Sequence, residues 1–166
     1  MNITFQQKPV TLEGKPLKVG DQAPSFTVLS KDLKDVTYED YKNKIKLISV
    51  VPSVDTGVCS LQTQRFHSKV SQLEGVELLT ISMDLPFAQQ RWIQENNLEN
   101  VSLFSDHREA SFGQAFGTLI KELRLLTRSI FVIDENDIIK HVEYVSEVSN
   151  HPDYDAALEA AKSLIQ

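Results

Sequence analysis

The stretch Lys46-Leu-Ile-Ser-Val-Val51 constrains the fold of this chain more than any other. A run dominated by apolar, β-branched residues and ended by Pro52 reads as a central strand buried on both faces, because polar alternation disappears where neither face meets water. Such a strand needs neighbours at its sides and helices above and below, and the rest of the sequence offers both. Val76 to Met83 (VELLTISM), Val101 to Phe104 and Ser129 to Asp134 (SIFVID) are further β-rich runs. Between the first two strands, Cys59, Phe66, Val70 and Leu73 recur at helical spacing, and Gly75 is expected to close that helix. Phe87 to Leu98 (FAQQRWIQENNL) returns to helical spacing through Trp92 and Ile93. Phe112 to Phe116 predicts a short helix, and Tyr154, Leu158, Ala161 and Ile165 mark a last one. The turn Glu135-Asn136-Asp137 leads into Ile138 to Val145 as an antiparallel hairpin. Near the start, ITFQQKPVTLEGKPLKV alternates around Lys8-Pro9 and Gly14-Lys15 as short strands joined by turns do, and Ala23-Pro24 sets Phe26 to Leu29 in an extended segment.

A βαβ crossover followed by a β-hairpin and a final helix is the layout of an α/β, thioredoxin-like fold: a central mixed sheet flanked by helices, here with an N-terminal β-hairpin. No repeat, low-complexity tract or linker interrupts it, so residues 1–166 are expected to form one domain. The 41% hydrophobic and 24% charged content is that of a globular protein, and no run of 18 apolar residues points to a membrane. Lys and Arg total 17 against 23 Asp and Glu, a net charge of −6 that disfavours nucleic acid as a partner. Met1 to Lys8 has neither the basic start nor the apolar core of a secretory signal, and the lone cysteine has no partner for an internal disulfide, so a cytoplasmic location is expected.

That cysteine, Cys59, falls in the first turn of the helix that follows the central strand. An ordinary thiol is mostly protonated at neutral pH, whereas the thiolate is the nucleophile. A helix N-terminus favours the anion through its unpaired amides and macrodipole, and a nearby arginine adds to the effect. A lone cysteine is more often a small buried hydrophobe. Here, however, Asp55 or Thr56 is placed to cap the helix, Pro52 ends the strand by withholding an amide, and Gly57 leaves the approach to the sulfur open, features that suit an exposed helix start. The other polar groups carry less. His67, His107, His141 and His151 show no metal-ligand spacing, and one cysteine excludes a thiolate-rich zinc site, so neither metal nor cofactor is expected. Asp84 and Asp106 follow strands and suit helix caps, while Phe87 and Trp92 suit a core or an interface.

The segment Pro52-Ser-Val-Asp-Thr56-Gly-Val-Cys59 fits the pattern PxxxTxxC, and PSVDTGVCSLQTQRF resembles the thiol peroxidase branch of the peroxiredoxin family. Further blocks in the same order are similar to that branch: KPVTLEG at 8–14, MDLPFAQQRW at 83–92, LFSDHREASFG at 103–113, LLTRSIFVIDEND at 125–137 and NHPDYDAALEAAK at 150–162. The resemblance implies that Cys59 is the peroxidatic cysteine, attacking hydrogen peroxide or an organic hydroperoxide and becoming a sulfenic acid. It implies that the Thr56 hydroxyl holds the peroxide, that Pro52 shields the sulfur, and that Arg128 stabilises the thiolate and the developing oxyanion, with Arg124 and Arg91 as alternatives. A homodimer is implied as well.

The chain departs from the branch at Ile93, which fills the slot where a resolving cysteine is usual. The expected activity is therefore one-cysteine peroxide reduction, recycled by an external low-molecular-weight thiol or a thioredoxin-type protein. The rival readings are a peroxide sensor, whose sulfenic acid is captured by a partner as a mixed disulfide, and a non-catalytic module with an inert Cys59. Pro52, Thr56 and Arg128 occurring together speak against the second.

Overall fold

A computed structural model describes residues 1–165. The chain opens with a hairpin of β1 (Ile3–Phe5) and β2 (Lys8–Val10), as the alternation predicts, and continues through β3 (Leu12–Glu13), β4 (Thr27–Leu29) and β5 (Asp35–Thr37). A 3-10 turn at Tyr38–Tyr41 precedes the central strand β6 (Ile45–Val50). Then follow α1 (Gly57–Val70), β7 (Val76–Ser82), α2 (Pro86–Glu95), β8 (Leu103–Ser105), α3 (Ser111–Ala115), β9 (Leu119–Ile120) and β10 (Leu125–Leu126). The chain ends with β11 (Ser129–Ile133), β12 (Ile139–Tyr144) and α4 (Tyr154–Ser163).

The main sheet has the order β12-β11-β6-β7-β8-β4-β5. β6, β7 and β8 run parallel, as strands joined through helices must, while β11 pairs antiparallel with both β6 and β12, and β4 antiparallel with β8 and β5. The result is the mixed, helix-flanked sheet that the sequence predicts. Every residue of β6 is buried. One face of the sheet packs Ile48, Val50 and Phe131 against Phe26, Phe112 and Phe116, with aromatic edges meeting faces. The other packs Leu47, Ile130 and Val132 against Phe66 and Val70 of α1 and Ala157 and Ala161 of α4.

Several boundaries differ from the sequence reading. α1 stops at Val70, where the Ser71 hydroxyl donates to the Ser68 carbonyl at 3.0 Å and diverts the backbone from further helical bonding. Leu73 and Gly75 therefore lie in the turn beyond it, with Gly75 at φ +88°. α2 starts one residue earlier, with Pro86 in its first turn, and ends at Glu95. β3 leaves the N-terminal hairpin to pair with β9, which itself forms a hairpin with β10. That hairpin and β4–β5 escape a sequence reading because their strands are too short for periodicity. Their left-handed turn positions, Leu33 and Arg124, are moreover not glycine or asparagine.

Lys46 stands out in β6 as a fully buried cation. Its Nζ donates to Asp137 Oδ1 at 2.9 Å and to the Tyr41 carbonyl at 3.0 Å, and the Tyr38 hydroxyl donates to the same carboxylate oxygen at 2.6 Å. Burial draws the lysine's pKa below its ordinary value. At Asp137 burial works against ionisation as well, but hydrogen bonds from Lys46 and Tyr38 outweigh it and hold the carboxyl below its usual range. Asp137→Asn keeps a residue tolerant of the φ of +66° found here while deleting the charge. It is expected to cost about 3 kcal/mol in urea unfolding, because Lys46 is left as a buried charge without its counter-ion. An unchanged midpoint would mean that Lys46 sheds its proton instead.

Candidate active site

β6 aims the chain at the site. After Val50, the Val51 amide still donates to Ile81 of β7 at 3.1 Å, and Pro52 then ends the pairing. The loop that follows is fixed by Asp84, which follows β7. Its carboxylate accepts from the Ser53 hydroxyl at 2.6 Å, the Val54 amide at 2.8 Å and the Ser82 hydroxyl at 2.7 Å. Asp84 thus caps no helix; it ties the entry of α1 to the neighbouring strand. Asp106 does cap, accepting from the Phe112 and Gly113 amides at the start of α3. Burial pushes its pKa up to about 6 against the pull of those two amides.

Thr56 is the residue before α1, in an extended conformation, but its side chain makes no capping bond. Its hydroxyl donates back to the Ser53 carbonyl at 3.3 Å, and Asp55 is exposed. The residue before the helix thus leaves the first-turn amides of α1 without a side-chain cap. Cys59 itself corrects the expectation of an exposed helix start. Its residue surface is 0% accessible, and it packs with Val51, Val54, Trp92 and Leu103, with half-buried Ile93 beside them. Helix position and burial coexist because side chains of α2 pack against this turn of α1, where the Trp92 indole donates to the Ser60 hydroxyl at 3.0 Å. Trp92 is therefore core, while Phe87, one turn earlier in α2, is 65% exposed.

Cys59, though without exposed surface, is among the residues around a cleft of about 200 Å³, with Pro52, Thr56, Gly57, Val58 and Arg128 and with Phe5, Gln6, Val148 and Ser149. A Cβ added to Gly57 would meet no heavy atom within 4 Å, so this side of the cleft is open. Larger clefts exist, such as one of about 490 Å³ between Arg65, Pro152 and Tyr154, but Cys59 does not line it.

Arg128 lies immediately before β11 and is 2% exposed. Its guanidinium spreads over three acceptors: Nη2 donates to Cys59 Sγ at 3.2 Å, Nη1 to Gln62 Oε1 at 2.8 Å, and Nε to the Val148 carbonyl at 2.7 Å. The structure therefore gathers Pro52, Thr56, Cys59 and Arg128 around one cleft. The two alternative arginines are elsewhere: Arg91 pairs with Glu95 on the exposed side of α2, and Arg124 sits in the β9–β10 turn. A permanent cation thus stands at hydrogen-bonding distance from the sulfur of a first-turn helix residue that is shut off from bulk water. Among the described residues no group of His, Cys, Asp or Glu is placed to hold a metal ion.

Gln62 was not legible as a site residue. It is fully buried on the Cys59 face of α1 and donates to the Ser49 hydroxyl at 2.8 Å while accepting from Arg128. Its one sequence signal is a spacing of one helical turn from Cys59, which puts a polar group on an otherwise apolar stripe. Gln62→Leu keeps the size of the side chain but strands Arg128 Nη1 and the Ser49 hydroxyl. A loss of about 2 kcal/mol is expected in urea unfolding, and wild-type stability would show that both groups find other hydrogen-bond partners.

Comparison with known proteins agrees with this geometry. A redoxin family model matches residues 18–158. A thiol peroxidase from Oceanobacillus iheyensis is 62% identical over 157 residues, 95% of this chain and 96% of the relative. One from Bacillus subtilis is 55% identical over 164 residues, 99% and 98% of the two chains. The solved structure of a peroxiredoxin-like protein from Aquifex aeolicus superposes with a TM-score of 0.92 at 37% identity, covering 99% of this chain and 97% of that one. With its thioredoxin-like sheet, its PxxxTxxC helix start and relatives this similar over almost its whole length, the chain belongs to the redoxin family, in the thiol peroxidase branch of the peroxiredoxins.

Proposed function

We propose that the protein is a thiol peroxidase that reduces hydrogen peroxide and organic hydroperoxides at Cys59. The observation that carries this reading is the 3.2 Å contact between Arg128 Nη2 and Cys59 Sγ at the floor of the cleft. The Cys59 thiolate attacks the distal oxygen of the hydroperoxide. A sulfur–oxygen bond forms as the O–O bond breaks, the leaving alkoxide or hydroxide takes up a proton, and Cys59 becomes a sulfenic acid. Arg128 meets the charge at both ends of this transfer, Thr56 supplies a hydroxyl at the mouth of the cleft, and Pro52 keeps water from the sulfur. An external thiol then displaces water from the sulfenic acid to form a mixed disulfide, and a second thiol releases Cys59 as a thiol.

With Ile93 in the resolving position, both thiols come from outside the chain, from a low-molecular-weight thiol or a thioredoxin-type protein. The surface near α2 supports a homodimer, since Leu85 and Phe87 there are 51% and 65% exposed. No helix among the described residues is long and apolar enough to cross a membrane, and a chain that depends on a free thiol suits the reducing cytoplasm. The names of the relatives favour an enzyme over a peroxide sensor.

Steady-state peroxide consumption, with dithiothreitol and with a thioredoxin system, tests the reading. Continuous turnover is expected for the wild type and none for Cys59→Ser, a change that removes the nucleophile without opening a large cavity. Turnover surviving in purified Cys59→Ser protein would end the proposal, and a wild type oxidised once without cycling would favour the sensor. Arg128→Met is expected to slow single-turnover oxidation of Cys59 by about 100-fold, as loss of a donor to a developing anion does elsewhere. Arg128→Lys, which keeps the charge without the fork, should recover only part of the rate. Quench-flow with intact-mass readout checks both.

A further inference from the structure

Arg128 is aimed by two anchors. One, Gln62, belongs to α1 and moves with Cys59. The other is the Val148 carbonyl, on the loop between β12 and α4, and something must hold that loop against the sheet. The Val148 amide donates to the Thr4 carbonyl at 2.8 Å and the Thr4 amide to the Ser146 carbonyl at 2.9 Å, so β1 lies beside this loop. Between these two bonds the Glu147 side chain reaches across to the hairpin. Oε1 accepts from the Thr4 hydroxyl at 2.9 Å and the Gln7 amide at 2.8 Å, and Oε2 from the Ser149 amide at 2.7 Å and the Gln6 amide at 3.3 Å. Gln6 and Gln7 both hold positive φ, 50° and 67°, a conformation unfavourable to residues other than glycine and sustained only when the surroundings impose it. Their amides converge on the carboxylate. The same turn carries Phe5 and Gln6 into the wall of the Cys59 cleft.

From this geometry we infer that Glu147 is a positioning residue for the oxidation of Cys59: its carboxylate clamps the N-terminal hairpin to the 146–149 loop, and so holds in register the Val148 carbonyl that orients Arg128. Glu147 does not touch the sulfur and is not itself part of the cleft lining, which it meets only through the backbone amides of Gln6 and Ser149; it acts through Arg128. The inference rests on the reading of Cys59 and Arg128 as the reacting pair. Partial burial opposes ionisation of Glu147, but the Ser149 and Gln7 amides and the Ser149 and Thr4 hydroxyls outweigh it and hold its pKa down to about 2, so the clamp stays charged at working pH.

The test is single-turnover oxidation of Cys59 by hydrogen peroxide, measured by quench-flow and intact mass, in Glu147→Ala, Glu147→Gln, Arg128→Met and the Glu147→Ala/Arg128→Met double variant. Because small misplacements of a catalytic group are costly, Glu147→Ala is expected to slow oxidation on the order of 10-fold to 100-fold. Glu147→Gln, which still offers one acceptor oxygen, should fall between it and the wild type. In the Arg128→Met background, removing Glu147 should change the rate by less than about 2-fold, since the group it positions is gone. A purely structural role would slow both backgrounds equally, and that result overturns the inference, as does a wild-type rate in Glu147→Ala. Should Glu147→Ala not fold, the cycle is run with Glu147→Gln, whose intermediate loss must likewise vanish beside Arg128→Met. If Arg128→Met alone oxidises at the wild-type rate, the reading of the reacting pair fails instead.

Discussion

A buried guanidinium cannot shed its proton, and each N–H it hides from water needs an acceptor. Arg128 finds three acceptors in two distant parts of the sequence: the Cys59 sulfur and the Gln62 side chain on α1, and the Val148 carbonyl on the loop after β12. The sites of these acceptors are therefore constrained to meet within the width of one planar group. α1 must enter at the level of β11, the loop after β12 must fold back over the sheet edge, and the first strand must lie alongside that loop. Much of the architecture around the cleft follows from satisfying this single cation, and the sulfur benefits as one of its acceptors.

The sheet supplies the fixed frame for this arrangement. β6 is buried from end to end, with Lys46 and its partners closing one end and the Pro52 loop leaving the other. Both ends thus carry buried polar groups, satisfied in different ways. At the Lys46 end the ion pair is closed on itself by Tyr38 and the Tyr41 carbonyl, and nothing is left to react. At the Cys59 end one acceptor is a soft, oxidisable atom beside a cleft. The same device, a cation buried among hydrogen-bond acceptors, serves structure in one place and, in the proposed mechanism, chemistry in the other.

The order of strands and helices was legible because long periodic runs such as VELLTISM and SIFVID report burial directly. Pro52, Thr56, Cys59 and Arg128 were legible because their residue types and spacing recur in a family pattern, and the structure gathers them at one cleft. Gln62 and Glu147 were not. Each is a polar residue whose partner lies more than 60 positions away, and only the closed fold reveals the pairing. The burial of Cys59 was hidden for a related reason, since it depends on side chains from α2 and β8 packing on it rather than on anything in the helix that carries the cysteine. The β4–β5 and β9–β10 hairpins escaped because their left-handed turn positions, Leu33 and Arg124, carry no glycine or asparagine to mark a turn.

The chain has one tryptophan, and the fold places it in the same apolar cluster as the one cysteine, with its indole bonded to the residue after that cysteine. Indole emission responds to nearby polarity and to sulfur oxidation state, so the protein carries its own optical reporter. Under the proposed mechanism, conversion of the thiol to a sulfenic acid would take place within this reporter's immediate surroundings. Such a cycle would be open to observation in real time in the unmodified molecule, without a dye, by the light of a single residue.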